Sequence, residues 1–200
     1  MIEIQGLFFA RGNHQIYNDF NAQLEVGEAV LLTGPNGAGK STLIQLIGGL
    51  LQAQSGAITI DGVAVNSLNT KEQAMLRAVA PQRRSFTLAF TVKEVLHFLP
   101  KKMRIVDNSH LIEKLGLTEL LNKKVTELSI GQQERVSLAL ALSQRAKYYL
   151  LDEPFSAQDS EATANIIELI NEIKKENGVL VISHNQDAIF KYFDRVISLA

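Results

Sequence analysis

The chain has no cysteine and no tryptophan, only four prolines, and almost no net charge, with 20 Lys and Arg against 21 Asp and Glu. Each scarcity removes a class of function. Without cysteine there are no disulfides and no thiolate metal sites, which suits a reducing compartment. Without excess positive charge there is no electrostatic footprint for nucleic acid. No apolar run approaches the roughly 18–20 residues of a membrane-spanning helix. Met1-Ile2-Glu3-Ile4-Gln5 lacks the basic and apolar regions of a signal peptide. The expectation is a soluble cytoplasmic chain that meets a membrane only through a partner. What is present is material for one domain: 200 residues, 46% of them hydrophobic, suffice for a full core.

Hydrophobic periodicity lays out the elements. Ile2 and Ile4, then Ala22, Leu24 and Val26, alternate with polar residues and predict early β-structure. Residues 29–32 form an apolar strand, and Leu43, Leu46, Ile47 and Leu50 recur at helical spacing. Residues 56–65 read as a hairpin turned at Asp61-Gly62. A helix over 71–78 leads to Val79-Ala80-Pro81-Gln82, and short helices follow over 91–99, 110–115 and 118–122, with Pro100 and Gly116 as breaks. A longer, mostly buried helix covers 132–145. The last third alternates: strand 148–151, helix 161–177 capped by Gly178, strand 179–182, helix 187–193, strand 195–199. Such alternation predicts a mostly parallel sheet covered on both faces.

Between the strand at 29–32 and the helix after it lies Gly34-Pro35-Asn36-Gly37-Ala38-Gly39-Lys40-Ser41-Thr42, which fits G-x-x-x-x-G-K-[ST] in the strand–loop–helix context that this pattern requires. Glycines let successive N–H groups point at phosphate oxygens, and the helix offers its positive end to the same anion. Lys40 is placed to reach the β- and γ-phosphates, and the Ser41 hydroxyl to ligate Mg²⁺. Kinases, GTPases and motor ATPases all fit this much.

In a parallel sheet, ligands collect at the carboxyl ends of strands. One apolar strand ends in Asp152-Glu153, another in Ser183-His184, and Gln82 follows Pro81. Two adjacent acids at the end of a buried strand are costly unless they meet cations. Asp152 can hold Mg²⁺ from the side opposite Ser41, and Glu153 can polarise an attacking water.

Leu128-Ser129-Ile130-Gly131-Gln132, followed by the long helix, narrows the class. With it the sequence resembles the ATP-binding subunit of an ABC transporter, whose hallmark is L-S-G-G-Q between the phosphate loop and the Asp-Glu strand. In that resemblance Gln82 matches the glutamine loop, Tyr149 to Glu153 the Walker B strand, Ser156-Ala157-Gln158-Asp159 the D-loop, and His184 the switch histidine. It spans essentially the whole chain, so it implies a single ABC-type ATPase domain over 1–200. Its fold would be α/β: a P-loop NTPase core, an N-terminal antiparallel β subdomain, and a helical subdomain at about 84–145. It implies ATP and Mg²⁺, with Asn36, Gly37, Ala38, Gly39, Lys40, Ser41 and Thr42 on the nucleotide and Ser41, Gln82 and Asp152 about the metal. Glu153, His184, Gln82 and Lys40 would carry catalysis. It further implies a head-to-tail homodimer in which Ser129, Gly131, Gln132 and Asp159 of one chain complete the site of the other. The dimer would push on transmembrane permease subunits at the inner face of the membrane.

Three positions depart from the pattern. Ile130 replaces a glycine, and a β-branched residue would be strained there if the backbone took positive φ. Gln158 stands where the D-loop has leucine. Arg11 occupies the place of the aromatic ring that stacks on adenine, and a guanidinium plane can stack too, with Phe9, Tyr17 and His14 as alternatives. The segments 80–84 and 90–95 resemble importers of metal ions and metal chelates, whereas the altered signature is also similar to the haem-export ATPase of cytochrome c maturation. A non-transport ABC ATPase acting on nucleic acid or ribosomes, and a P-loop kinase of small molecules, remain the rival classes. His97, His110 and the basic runs 101–104 and 123–124 read as surface, and Phe8-Phe9 and Tyr148-Tyr149 as core; Arg83-Arg84, following Gln82 where the family's membrane partner docks, reads equally as surface or as part of that docking face.

Overall fold

The computed structural model describes residues 1–82, 86–98, 107–184 and 189–199. Two sheets organise it. An antiparallel sheet runs in the order β2 (His14–Leu24), β1 (Ile2–Arg11), β4 (Ser55–Ile60), β5 (Val63–Ala64). A five-stranded sheet, parallel throughout, runs β6 (Arg77–Ala80), β7 (Tyr148–Asp152), β8 (Gly178–Ile182), β3 (Ala29–Thr33), β9 (Arg195–Ser198).

The central strands β3, β7 and β8 are buried at every position and mostly apolar because each feeds two cores. Successive side chains of a strand point to opposite faces. Ala29, Leu31, Tyr149, Leu151, Val179 and Val181 face one core, closed by α3 (Val92–Leu96), α4 (Ser109–Lys114), α5 (Ile130–Leu142) and α6 (Ser160–Ile173). Val30, Leu32, Tyr148, Leu150, Leu180 and Ile182 face the other, closed by α1 (Lys40–Ile47) and the antiparallel sheet. The two tyrosines that open β7 thus serve different cores.

Helix starts are written in capping residues. Asn69 with Glu72 starts α2 (Thr70–Leu76), Thr91 with Glu94 starts α3, and Ser129 with Gln132 starts α5; each pair exchanges side chain-to-backbone hydrogen bonds in both directions. Asp159 caps α6 by accepting from the Ala162 N–H at 2.8 Å. The Asp61-Gly62 turn has positive φ at both residues, 52° and 78°, as a two-residue hairpin needs.

Several boundaries differ from the periodicity reading. The helix expected over 71–78 stops at Leu76, because Arg77–Ala80 pairs with Tyr148–Leu151 as the edge strand β6. The helix expected from 132 begins at Ile130, since Ser129 caps it, and ends at Leu142. The helix over 91–99 is shortened to α3, and 118–122 holds only a 3-10 turn at Thr118–Leu120. Val26 lies in a turn and is exposed. Gly178 opens strand β8 rather than capping a helix. A Cβ there would lie 2.5 Å from the Glu25 carbonyl oxygen and 2.6 Å from the Tyr148 ring, so packing, not helix termination, demands the glycine. Of the span 187–193 expected to be helical, the described part holds Ile189 in α-helical conformation followed by a 3-10 turn at Phe190–Tyr192. Residues 187 and 188, Arg83-Arg84, Pro100 and the basic run 101–104 lie outside the described residues.

Candidate nucleotide site

The loop after β3 turns sharply into α1. Gly39, the residue before the helix, has φ 98°, and a Cβ there would come 2.3 Å from Ile16 of β2. The Tyr17 hydroxyl, buried beside it, donates to the Gly39 carbonyl at 2.8 Å. The antiparallel sheet therefore holds the loop in place. The first turn of α1 contains no acidic residue, so its positive end is open to an incoming anion. Lys40 is buried, and its ammonium donates to the Gly34 and Pro35 carbonyls at 2.7 and 2.8 Å. Burial lowers its pKa, against the opposing pull of Glu153 and Asp152. A cation this poorly solvated gains from an incoming anion.

Asp152 ends β7 facing the loop. Burial raises its pKa, while a hydrogen bond from the Ser41 hydroxyl and the charges of Lys40 and His184 pull it back. Its Oδ1 is buried with no hydrogen-bond partner. An orphaned carboxylate oxygen beside a hydroxyl is a hard-oxygen donor set, and Mg²⁺ fits it: such a cation takes one or two protein oxygens and completes its shell with phosphate and water.

Glu153 sits in the left-handed region at φ 56°, a conformation that costs a non-glycine residue on the order of 1–3 kcal/mol. Its N–H donates to the Ile182 carbonyl at 3.0 Å, and its Oε2 accepts from the His184 N–H at 3.3 Å, so β8 fixes it from both ends. His184 Nε2 lies 2.9 Å from Glu153 Oε1 as a charge contact, without the angle of a hydrogen bond. Burial raises the Glu153 pKa, His184 opposes, and Asp152 adds to the rise. A carboxylate pushed toward the working pH is suited to accept a proton.

Lys40, Ser41, Glu153 and His184 line one cavity of about 420 Å³. From the loop and α1 come Asn36, Gly37, Gly39, Lys40, Ser41 and Thr42; from the strand ends come Gln82, Glu153 and His184; from the β1–β2 hairpin come Arg11, His14 and Ile16. Ala38 and Asp152 do not line it. The sequence reading did not include Ile16, whose signal is its place one residue before a tyrosine that reaches Gly39. Of the alternatives to Arg11 for the base, Phe9 and Tyr17 are buried in the core, and His14 is in the cavity. Ser129, Gly131, Gln132 and Asp159 are not among the cavity residues; they stand at the starts of α5 and α6. Ile130 is not among the positive-φ residues. It is the first residue of α5, so its β-branch carries no backbone strain there, and its side chain is 71% exposed.

A parallel sheet that brings a phosphate loop, a buried acid pair and a histidine to the same strand ends defines a P-loop nucleotide hydrolase. The chain belongs to the ABC transporter family, whose family model matches residues 17–156. It is an ATPase of that class, using ATP with Mg²⁺. It is 34% identical over 215 residues to the hemin import ATP-binding protein HmuV of Bordetella avium (strain 197N), covering 100% of this chain and 82% of the relative. It is 33% identical over 211 residues to the manganese transport system ATP-binding protein MntB of Bacillus subtilis (strain 168), covering 99% of this chain and 82% of that protein. Of two other Bacillus subtilis relatives it spans 37% and 47% of the length. Among solved structures, the dimeric post-hydrolysis ATP-binding cassette MJ0796 bound to ADP and Pi superposes with TM-score 0.84 at 26% identity, over 100% of this chain and 94% of that one. Among the described residues no helix is long and apolar enough to cross a membrane.

Proposed function

We propose that the chain powers an ABC importer, working as a head-to-tail pair against permease subunits at the inner face of a membrane. The observation that carries this reading is the separation of Ser129, Gly131, Gln132 and Asp159 from a cavity that holds the rest of the machinery. A helix N-terminus is an anion site. The start of α5 meets a γ-phosphate only when it is offered by a second copy.

In the closed pair the loop N–H groups and Lys40 hold the β- and γ-phosphates of ATP, and Arg11 stacks on the base. Ser41 and Asp152, with Gln82 nearby, would hold Mg²⁺, which when bound would neutralise charge on the phosphates. Glu153 accepts a proton from the attacking water, and His184 keeps water and γ-phosphate in line. Ser129 and Gly131 of the second copy supply the remaining donors. Gln82 reports the state of the nucleotide to the permease. The cargo is a metal ion or metal chelate, a reading supported by the hemin and manganese relatives.

The test is capture from native membranes with the Glu153→Gln chain and ATP, followed by mass spectrometry. A multi-span membrane protein, released when ADP replaces ATP, is expected, and its own sequence indicates the cargo. Recovery of only soluble partners or nucleic acid would overturn the transporter reading.

A further inference from the structure

The loop between Glu153 and α6 is tied to the start of α5 by side chains that the nucleotide site itself does not use. Gln158 Nε2 donates to the Gly131 carbonyl at 3.2 Å, to the Ser156 carbonyl at 3.1 Å and to Glu134 Oε2 at 3.4 Å. The other oxygen of the same carboxylate, Glu134 Oε1, accepts from the Ser156 hydroxyl at 3.2 Å. Backbone contact closes the joint: a Cβ on Gly131 would lie 2.5 Å from the Ala157 carbonyl oxygen. The loop held this way is strained at both ends, with Glu153 at φ 56° and Ala157 at φ 53°. Two non-glycine residues four apart in the left-handed region persist only where their surroundings over-determine them.

We infer that Gln158 and Glu134 form an intrachain latch that positions the Glu153 carboxylate by clamping its loop to the start of α5. A leucine at 158 would have no donor for the Gly131 carbonyl or for Glu134, so the latch is specific to the amide this chain carries. The inference deepens the head-to-tail reading and rests on it. In such a pair the start of α5 faces the partner's nucleotide, while Glu153 faces the chain's own. The latch therefore joins the proton acceptor of one site to the phosphate donors of the other, and the two sites close together. Gln158 does not line the nucleotide cavity, so its role is that of a positioning residue.

The experiment compares the full chain with Gln158→Leu, Glu134→Ala, the double variant, and Glu134→Gln, which keeps an acceptor. Gln158→Leu should lower kcat about ten-fold, as expected for a reacting group displaced by a fraction of an ångström. KM and nucleotide affinity should be unchanged, and the Hill coefficient for ATP should fall toward one. Glu134→Ala should do the same, the double variant no worse, and Glu134→Gln should stay near the unaltered rate. In the nucleotide-free chain, Gln158→Leu should also speed amide hydrogen exchange at Ser156 and Gln158, whose N–H groups bond to the carbonyls of Glu153 and Phe155. An unchanged kcat with unchanged exchange would overturn the latch. Loss of affinity and melting temperature in step with rate would overturn it too, by making the contact merely structural. If the unaltered chain binds ATP but never pairs, the head-to-tail reading fails, and the latch as a link between sites fails with it.

Discussion

Asp152 and Glu153 show what burying two adjacent carboxylates costs the fold. Both carboxylates are buried, and burial raises the pKa of each above its ordinary value. A raised acid favours the fold while it is protonated and disfavours it once ionised. Stability from this source is present below the unfolded pKa, about 3.9 for aspartate, and is lost as pH rises through the folded value. Asp152→Asn should therefore raise the melting temperature of the nucleotide-free chain at pH 7. The difference should shrink as pH falls toward about 4. Differential scanning calorimetry across that range checks it, and a variant that melts lower than the unaltered chain at pH 7 contradicts it. The same substitution should weaken the response to Mg²⁺ if, as proposed, the orphaned Oδ1 is the acid oxygen that would meet the metal. Adding Mg²⁺ with ATP should then raise the melting temperature of the unaltered chain more than that of Asp152→Asn.

At the scale of elements, apolar runs and the phosphate-loop pattern were the legible part. Strands at 29–32, 148–151 and 179–182 were visible because both their faces are buried, and the loop because only a narrow set of residues satisfies it. The edge strand Arg77–Ala80 was not visible: its Arg-Ala-Val-Ala reads equally as the end of a helix, and only pairing with β7 decides it. The start of α5 was missed by two residues because apolar period was weighed over the Ser129–Gln132 capping box. That box also bears on Ile130. With Ser129 extended at φ −62° and Ile130 already helical, the position needs no glycine. Ile130→Gly should leave ATPase turnover unchanged or raise it through easier approach of a partner surface, and should cost the helix at most about 1 kcal/mol. A large loss of turnover, measured by phosphate release, would show that the exposed isoleucine itself makes a required contact. In the site, Lys40 and Ser41 were named from the phosphate-loop pattern and Gln82, Glu153 and His184 from strand-end logic and resemblance, and all five line one cavity. Ile16 and the bond from Tyr17 to Gly39 were illegible because nothing in sequence says that a hairpin 22 or more residues before Gly39 folds back on the phosphate loop.

At the scale of the molecule, the fold places the Glu153 carboxylate and the phosphate loop around one cavity and leaves Ser129, Gly131 and Asp159 outside it. The central claim is that these two surfaces meet across a pair of chains, with ATP between them. The absence of cysteine makes the claim directly measurable, because introduced thiols have no competitors. A chain carrying Glu153→Gln and Asn36→Cys is mixed with one carrying Glu153→Gln and Ser129→Cys and treated with a short thiol-reactive cross-linker. The account predicts a covalent heterodimer that forms with ATP and Mg²⁺ and disappears with ADP or with Lys40→Ala. Failure to cross-link despite measured ATP binding, or cross-linking at the same rate without nucleotide, would contradict it.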